Sequence, residues 1–268
     1  MNDYPTHIKL NNLLYSCADQ KQRGSEQLVS EHSMGYIMSG EMHLQTNHGL
    51  IVVKEGSIGL IRRNQLARSL KIPPPGGEFK SINIFITQDF LRRYCAENKI
   101  TASPKYTGAP MVQLSPDPFL QGYFDSLVPY FNLGLDAPGN LAEIKTKEAV
   151  ELILRRGSEL HDFLFDFSEP HKIDLEAYMN QNYMFNVPTL EFAKLTGRSL
   201  ASFKRDFMKT FKSPPGQWLQ QKRLSEAYYQ IREKGRKPSD VYLDVGFENL
   251  SHFSYTFKKA FGVAPSMV

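Results

Sequence analysis

The sequence predicts an α+β protein of two domains, a β-rich domain followed by an all-α domain. Its 268 residues exceed the usual size of one compact domain. Short apolar runs separated by Gly, Asn and Pro dominate residues 28–88, whereas apolar residues recur at helical spacing through most of the later sequence. The segment 165–172 lacks apolar periodicity and contains Pro170, so we expect the domain boundary there.

The β-rich region is typical of a small antiparallel sandwich or barrel, which we place at about 8–90. "TNHG" at 46–49 predicts a hairpin turn, and "KEGS" at 54–57 predicts a second tight connection. "IPPPGG" at 72–77 has to be a loop, because its prolines cannot donate hydrogen bonds to a sheet.

Two amphipathic helices are predicted within about 117–165. The first has an apolar face, which Pro129 should kink or end, made of Phe119, Leu120, Tyr123, Phe124, Leu127, Val128 and Phe131. The second, at about 140–156, has an apolar face made of Leu141, Ile144, Ala149, Leu152 and Ile153. Each face either covers the β domain or pairs with a second subunit. We predict a regulatory and dimerisation domain at 1–166.

Composition and charge are those of a cytoplasmic protein that does not enter a membrane. No apolar run approaches the roughly 18 residues that span a bilayer, and the first residues lack a signal-peptide pattern. Cys17 and Cys95 are isolated, which fits a reducing compartment. Residues 171–268 hold 15 Lys and Arg against 9 Asp and Glu, while residues 1–170 hold 17 against 19. The basic surplus of the last third favours a polyanionic partner.

The last hundred residues contain an internal duplication. "LTGRSLASFKRDFMKTFKSPP" at 195–215 aligns with "DVGFENLSHFSYTFKKAFGVAP" at 244–265. Three phenylalanines recur at a constant offset of 50: Phe203, Phe207 and Phe211 in the first copy, and Phe253, Phe257 and Phe261 in the second. Each copy predicts a short helix, a turn opened by Gly197 or Gly246, and a second helix, which is the helix-turn-helix pattern.

Within a predicted helical domain at 173–268, we place the first helix-turn-helix unit at about 188–212 and the second at about 238–261. A long helix at about 215–234 links them. Such a linker would hold the two second helices at a fixed separation. If that separation is about 34 Å, both can enter successive major grooves of DNA.

Burying the phenylalanines leaves the opposite face of each second helix for a ligand. We predict DNA contacts from Ala201, Ser202, Lys204, Arg205 and Lys209 in the first unit, and from Leu250, Ser251, Ser254, Tyr255, Lys258 and Lys259 in the second. Lysine and arginine bind guanine edges or phosphates, and hydroxyl groups donate to phosphate oxygens. A solvated amphipathic helix is the plainer interpretation of either unit alone. Duplication, linker helix and basic surplus together favour double-stranded DNA.

This region resembles the AraC/XylS family of bacterial transcription regulators. The family signature is matched over 244–266 by Gly246, Phe247, Phe253, Phe257, Lys258, Phe261, Gly262 and Pro265, and more loosely in the first unit by Ala193, Gly197, Leu200, Phe203 and Phe207. The resemblance implies sequence-specific binding of promoter DNA, contact with RNA polymerase and activation of transcription, without catalysis. By position, it implies base contacts from Ala201, Lys204 and Arg205 and from Leu250, Ser251 and Tyr255.

Three features depart from the family pattern. Lys212 replaces the glycine that commonly follows the first unit's second helix, and Tyr242 replaces a small residue in the second unit's first helix. Leu250, Ser251 and Tyr255 offer few donors to base edges. We therefore expect the first unit to carry most base specificity and the second to contact mainly the DNA backbone.

Residues 36–65 are similar to the cupin-like sensory domain common in this family, with Gly40, Gly49 and Gly56 at its turns. The predicted fold is thus an N-terminal cupin-like β-barrel with flanking helices, followed by the all-α domain with its two helix-turn-helix subdomains and linker helix. Such a barrel can hold a small-molecule effector, and docking of a regulatory protein is the alternative.

A metal-dependent cupin enzyme is the rival from another functional class. It would hold its metal with clustered histidines and a carboxylate. His32, His43 and His48 form no His-x-His pair, and we interpret them as isolated surface or turn histidines. We therefore predict no metal, cofactor or catalytic residue, and we expect a homodimeric regulator.

Overall fold

The structure, a computed structural model, describes residues 7–24, 27–103, 105–132 and 139–268. The chain divides into two compact units, Met1–Ser168 and Glu169–Val268. The first unit contains sheets and helices, and the second is helical, so the predicted two-domain α+β class is confirmed. No helix within the described ranges is long and apolar enough to cross a membrane.

The first unit contains two antiparallel sheets. Its strands are β1 (His7–Leu10), β2 (Leu13–Ala18), β3 (Gln22–Arg23), β4 (Leu28–Val29), β5 (His32–Ser39), β6 (Glu41–Thr46), β7 (Gly49–Lys54), β8 (Ile58–Ile61), β9 (Gln65–Ile72), β10 (Phe79–Ile86) and β11 (Met111–Leu114). The larger sheet has the order β1-β2-β10-β5-β8-β11. The smaller has the order β3-β9-β6-β7, and β4 also pairs with β9.

The turns predicted for this region lie between strands. Thr46 pairs with Gly49 across β6 and β7, which confirms the hairpin turn at 46–49. Gly56 joins β7 to β8 with a φ of +78°, a conformation that glycine adopts at little cost. The proline-rich segment connects β9 to β10. β11 was not predicted, and it lies beyond the predicted barrel range, where it pairs with β8.

Helices cover one face of the larger sheet. Those described in the first unit are α1 (Gln88–Asn98), α2 (Pro118–Asn132), α3 (Gly139–Leu154) and α4 (Ser158–Phe165). In one buried cluster, Phe124 and Leu127 of α2 and Ile153 of α3 join Ile82 and Ile84 of β10. The predicted apolar faces of α2 and α3 therefore mainly cover the β domain. α2 continues through Pro129.

Two residues of the predicted apolar faces are instead exposed. Phe119 is 58% exposed, and its ring lies 4.3 Å from the guanidinium carbon of Arg155. Ile144 is 59% exposed. Buried positions of α3 include Ala142 and Thr146, which share a helical face with the buried Ala149. The apolar pattern misplaced this face because small or polar residues line part of it.

His32 also differs from its predicted surface position. It lies on β5 with no exposed surface, and its ring centroid is 5.4 Å from that of Phe163. The backbone N–H of Arg63 donates to Nδ1 at 3.4 Å, which assigns the ring proton to Nε2. Burial, together with the nearby Arg62 and Arg63 guanidiniums, lowers the pKa of His32 to about 3. The imidazole is therefore neutral in the folded protein at ordinary pH.

The other two histidines of this region lie apart from His32. His43 Nε2 is 2.9 Å from Glu41 Oε1, and His48 is exposed in the turn after β6. Within the described ranges, no three His, Cys, Asp or Glu side chains are grouped so that they could hold a metal ion.

The second unit consists of short helices joined by turns. They are α5 (Leu175–Asn182), α6 (Thr189–Leu195), α7 (Leu200–Phe211), α8 (Pro215–Arg232), α9 (Pro238–Asp244) and α10 (Leu250–Phe261), followed by a 3-10 turn at Pro265–Met267. α6 and α7 form the first helix-turn-helix unit, and α9 and α10 form the second. α8 is the helix that links them.

The duplicated phenylalanines form the cores of the two units. Phe203, Phe207, Phe253 and Phe257 have no exposed surface. The last phenylalanine of each stripe is partly exposed and packs against α8: Phe211 lies 4.5 Å from Trp218, and Phe261 lies 4.8 Å from Tyr228, between ring centroids. Burial of one face of α7 and α10 leaves the opposite face in solvent.

The turn glycines of the two units have positive φ angles, +65° at Gly197 and +97° at Gly246. Each also allows a close backbone approach. A Cβ at Gly197 would lie 2.2 Å from the carbonyl carbon of His171, and a Cβ at Gly246 would lie 2.6 Å from the carbonyl oxygen of Met184. Both turns therefore require glycine for conformation and for space.

We expect Lys212→Gly to stabilise the helical domain, Glu169–Val268, by about 0.5–1 kcal/mol. Lys212 ends α7 with a φ of +55°, where a Cβ is unfavourable, whereas Gly262 ends α10 with a φ of +78°. Urea unfolding followed by the fluorescence of Trp218, the one tryptophan of the chain, measures this unit. Gly262→Ala is the matched control and should lower stability. A lower midpoint for Lys212→Gly would contradict the expectation.

We expect His32→Asn to weaken the dependence on pH of the stability of the β-rich domain, Met1–Ser168. The unfolded histidine takes up a proton near pH 6.5, but the folded one does so only near pH 3. Between these values the wild type should lose about 1.4 kcal/mol of folding free energy per unit fall in pH. Asparagine keeps an acceptor for the Arg63 amide without titrating.

Urea unfolding between pH 7.5 and 5, followed by circular dichroism, measures this slope, and Trp218 fluorescence identifies the transition of the second unit. The slope is the test, so a lower overall stability of the variant does not affect it. Parallel stability curves for the two proteins would show that His32 does not carry the pH dependence.

Candidate nucleic-acid interface

The five residues predicted to contact DNA in the first unit share the solvent face of α7. Ala201, Lys204, Arg205 and Lys209 are exposed, and Ser202 is partly exposed. Arg205 Nη2 donates to Ser202 Oγ at 3.2 Å. Ser199 caps the helix by accepting a hydrogen bond from the Ser202 N–H. The capped start and cationic side chains make this face suited to an anionic partner.

Met208 belongs to the same face, although charge and hydroxyl chemistry did not select it. It is 46% exposed and lies four residues after Lys204, one helical turn along. The spacing was the signal available in the sequence. Its flexible apolar side chain adds a surface that can contact a thymine methyl group.

Asp206 places a carboxylate at the edge of the α7 face. Arg198 Nε donates to Asp206 Oδ2 at 3.2 Å, and Lys172 Nζ lies 3.4 Å from the same oxygen. The hydrogen bond from Arg198 is the main cause that lowers the pKa of Asp206, which keeps the carboxylate ionised. Arg205 Nε lies 3.7 Å from the other carboxylate oxygen, Oδ1. Three cations thus surround one carboxylate, so this part of the α7 face keeps a net positive charge.

The six residues predicted in the second unit share the solvent face of α10. Leu250, Ser251, Tyr255, Lys258 and Lys259 are exposed, and Ser254 is partly exposed. Tyr255 is 69% exposed and Leu250 40%. Asn249 caps the helix by accepting from the His252 N–H. The helix thus begins with uncharged groups and carries its two lysines in its last turn.

His252 is a further exposed residue of α10, beyond the six predicted to contact DNA. Its ring centroid lies 5.8 Å from that of Phe247, in the turn before the helix. Tyr242, the unusually large residue of the second unit, is partly buried, with its ring centroid 6.4 Å from that of Phe253. The second unit therefore accommodates this bulk within its aromatic core.

The linker helix α8 packs on both units. Its N-terminal half contacts the first unit through Trp218, whose ring centroid is 5.6 Å from that of Phe207. Its C-terminal half contributes Leu224, Ala227 and Ile231 to the buried cluster of the second unit. The two candidate faces are thus carried by one helical scaffold. Contact of their residues with DNA, and a separation of one DNA turn, stay predictions.

Comparison with known proteins matches both domains of the chain, Met1–Ser168 and Glu169–Val268, to domains of transcription regulators. Residues 32–164 match the ExsA N-terminal regulatory domain, and residues 192–268 match a helix-turn-helix domain. The virulence regulon transcriptional activator VirF of Yersinia enterocolitica is 22% identical over 252 residues, which cover 89% of this chain and 90% of VirF. The transcriptional regulator ExsA of Pseudomonas aeruginosa is 21% identical over 238 residues, 88% of this chain and 85% of ExsA.

Among solved structures, an apo variant of ToxT from Vibrio cholerae is similar to this chain with a TM-score of 0.48 and 11% identity, over 96% of each chain. The family expected from the sequence is confirmed by the two matched domains and the two regulators. The chain is a member of the AraC/XylS family of transcription regulators, with an ExsA-type regulatory domain ahead of its paired helix-turn-helix units.

Proposed function

We propose that this protein activates transcription by binding promoter DNA through the exposed faces of α7 and α10. The observation that supports this function is the repeated arrangement of a capped second helix, buried on its phenylalanine side and cationic on its solvent side. Activation, rather than repression, is inferred from the regulators that the chain resembles, one of which is named as an activator. RNA polymerase is the proposed partner at the promoter.

Base reading is assigned mainly to the first unit. Arg205 and Lys204 extend from α7 and can donate to guanine edges. Tyr255 and Ser251 of α10 are suited to phosphate contacts through their hydroxyl groups. Lys258 and the neighbouring lysine add charge at the end of α10. The second unit therefore fixes the protein on the duplex, while the first sets the sequence that it prefers.

Residues 1–166 are proposed as the domain that regulates and dimerises the protein, and 173–268 as the DNA-binding domain. Phe119 and Ile144, the large apolar side chains that α2 and α3 leave exposed, are the proposed positions of a contact between subunits. A small-molecule effector or a regulatory protein would act through the first domain. The proposed site of action is the cytoplasm.

Selection of bound fragments from the source genome tests this function. Purified protein is incubated with sheared genomic DNA at physiological salt, and the recovered fragments are sequenced and footprinted. We expect a shared motif protected over about two major grooves for each subunit. Its affinity should fall steeply with salt, since phosphate contacts release counterions. Random recovery at physiological salt would contradict a specific regulator.

Substitution of Arg205 and Tyr255 tests the division between the two units. Arg205→Ala should reduce the preference for a specific over a scrambled duplex by about 1–3 kcal/mol, because a guanine contact is lost. Tyr255→Ala should lower the affinity for the specific and the scrambled duplex by similar factors. Arg232→Ala removes an exposed arginine of α8 outside both faces and is the matched control. A larger loss of preference for Tyr255→Ala would overturn the assignment.

A further inference from the structure

Arg223, in the middle of α8, joins the chain between α5 and α6 to the turn of the second helix-turn-helix unit through hydrogen bonds. Its Nε donates to the carbonyl oxygen of Tyr183 at 2.8 Å, and Nη2 donates to that of Phe185 at 2.9 Å. Its Nη1 donates to the carbonyl oxygen of Gly246 at 3.1 Å. The first two carbonyls follow α5 and precede the first unit, while the third lies in the turn of the second unit. One planar guanidinium thus binds two segments that precede and follow the linker helix in the sequence.

Two further contacts bring the same segments together. Gly246 lies so close to Met184 that a Cβ would stand 2.6 Å from the Met184 carbonyl oxygen. Asn186 Nδ2 donates to Glu248 Oε1 at 2.7 Å, and Asn186 Oδ1 also accepts from Arg223 Nη1 at 3.2 Å. We call this set of contacts between 183–186, Arg223 and 246–248 the inter-unit bracket. It fixes the turn before α10 against the chain before α6.

An open cleft adjoins the inter-unit bracket, so polar contacts rather than close apolar packing hold the two segments together at this point. The cleft has a volume of about 420 Å³ and is lined by Leu219, Gln220, Arg223, Phe247 and His252, among others. The apolar cluster of the second unit draws on the C-terminal half of α8 and on α9 and α10. Trp218 packs the other half of α8 onto the first unit. Arg223 lies between these two packed regions.

We propose that Arg223 is a positioning residue that fixes α7 relative to α10, so that the protein discriminates the spacing between the two DNA elements that it reads. This inference rests on the proposed DNA binding. Insertion of one base pair moves an element by about 3.4 Å and rotates it by about 35° around the duplex. If α7 and α10 are held rigidly, they cannot both bind the altered duplex and affinity is lost. If only α8 joins them, a small change in their relative position restores both contacts.

Arginine suits this role better than lysine. Its planar fork donates to several acceptors at once in a fixed geometry, whereas an ammonium group is a compact charge on a flexible stem. Arg223→Lys should therefore restore only part of the rigidity. Arg223→Gln removes the charge and most of the donors while keeping a polar side chain of moderate length.

The test measures affinity for duplexes in which the two footprinted elements are moved apart or together by one and two base pairs. Wild-type affinity should fall by about tenfold or more for one base pair. Arg223→Gln should bind the best duplex less tightly and lose less than about threefold at the altered spacings. Arg223→Lys should lie between them. Identical spacing profiles for wild type and Arg223→Gln would overturn the proposal.

Arg205→Ala is the matched control, since it should weaken binding at every spacing without flattening the profile. If the wild type binds no specific duplex, the proposed function fails. If it binds specifically but the Arg223 variants keep its spacing profile, only the positioning role fails. Glu248→Ala removes an exposed part of the inter-unit bracket and should flatten the profile to a smaller extent. Circular dichroism of each variant verifies that the helices are retained.

A distance measurement tests the same role without DNA. Spin labels are attached at Thr210→Cys on α7 and Ala260→Cys on α10, both exposed positions, while the two native cysteines are buried. The wild-type background should give one narrow distance distribution by double electron–electron resonance. Arg223→Gln should broaden it. An equally narrow distribution at the wild-type distance would overturn the positioning role even if Arg223→Gln lowered affinity.

Discussion

Burial of the phenylalanine stripe is the constraint on which the candidate DNA-binding surface depends. Residues four apart lie one above the other on a helix, so Phe203 and Phe207 can enter one core together, as Phe253 and Phe257 do in the other. Truncation of a buried phenylalanine to alanine typically costs about 3–5 kcal/mol. Rotation of α7 or α10 about its axis would expose these rings. The packing therefore determines which side chains remain available to a partner.

The two units share a pattern but anchor their turns differently. Gly197 approaches the backbone at His171, which precedes α5, whereas Gly246 approaches Met184, which lies between α5 and α6. Arginine donors accompany both approaches: Arg198 donates to the carbonyl oxygen of Ile173, and Arg223 donates to carbonyls on either side of the second contact. The glycine turn is thus the same in the two copies, but the backbone segment packed against it differs.

Local periodicity predicted the helical unit well, because a stripe of phenylalanines and a polar cap act within a few residues of one another. It failed where burial depends on distant segments. His32 is buried beneath Phe163, 131 positions later, and its own strand gives no sign of this contact. The buried face of α3 includes Ala142 and Thr146, which carry little apolar signal. Arg223 has no distinguishing signal in the sequence, because its carbonyl partners at Tyr183, Phe185 and Gly246 lie far from it along the chain.

The arginines also show why a basic surplus in sequence overstates the charge offered to DNA. The Arg198 side chain is 7% exposed and is occupied by Asp206 and two backbone carbonyls, and Arg223 is similarly occupied by carbonyl oxygens. Such cations hold turns in place, while the side chains of Lys204 and Arg205 are exposed to solvent, where they can meet phosphates or bases. Charge in this unit therefore has two separate roles. Inward-facing guanidiniums set the geometry of the helices, and outward-facing cations give those helices their affinity for a polyanion.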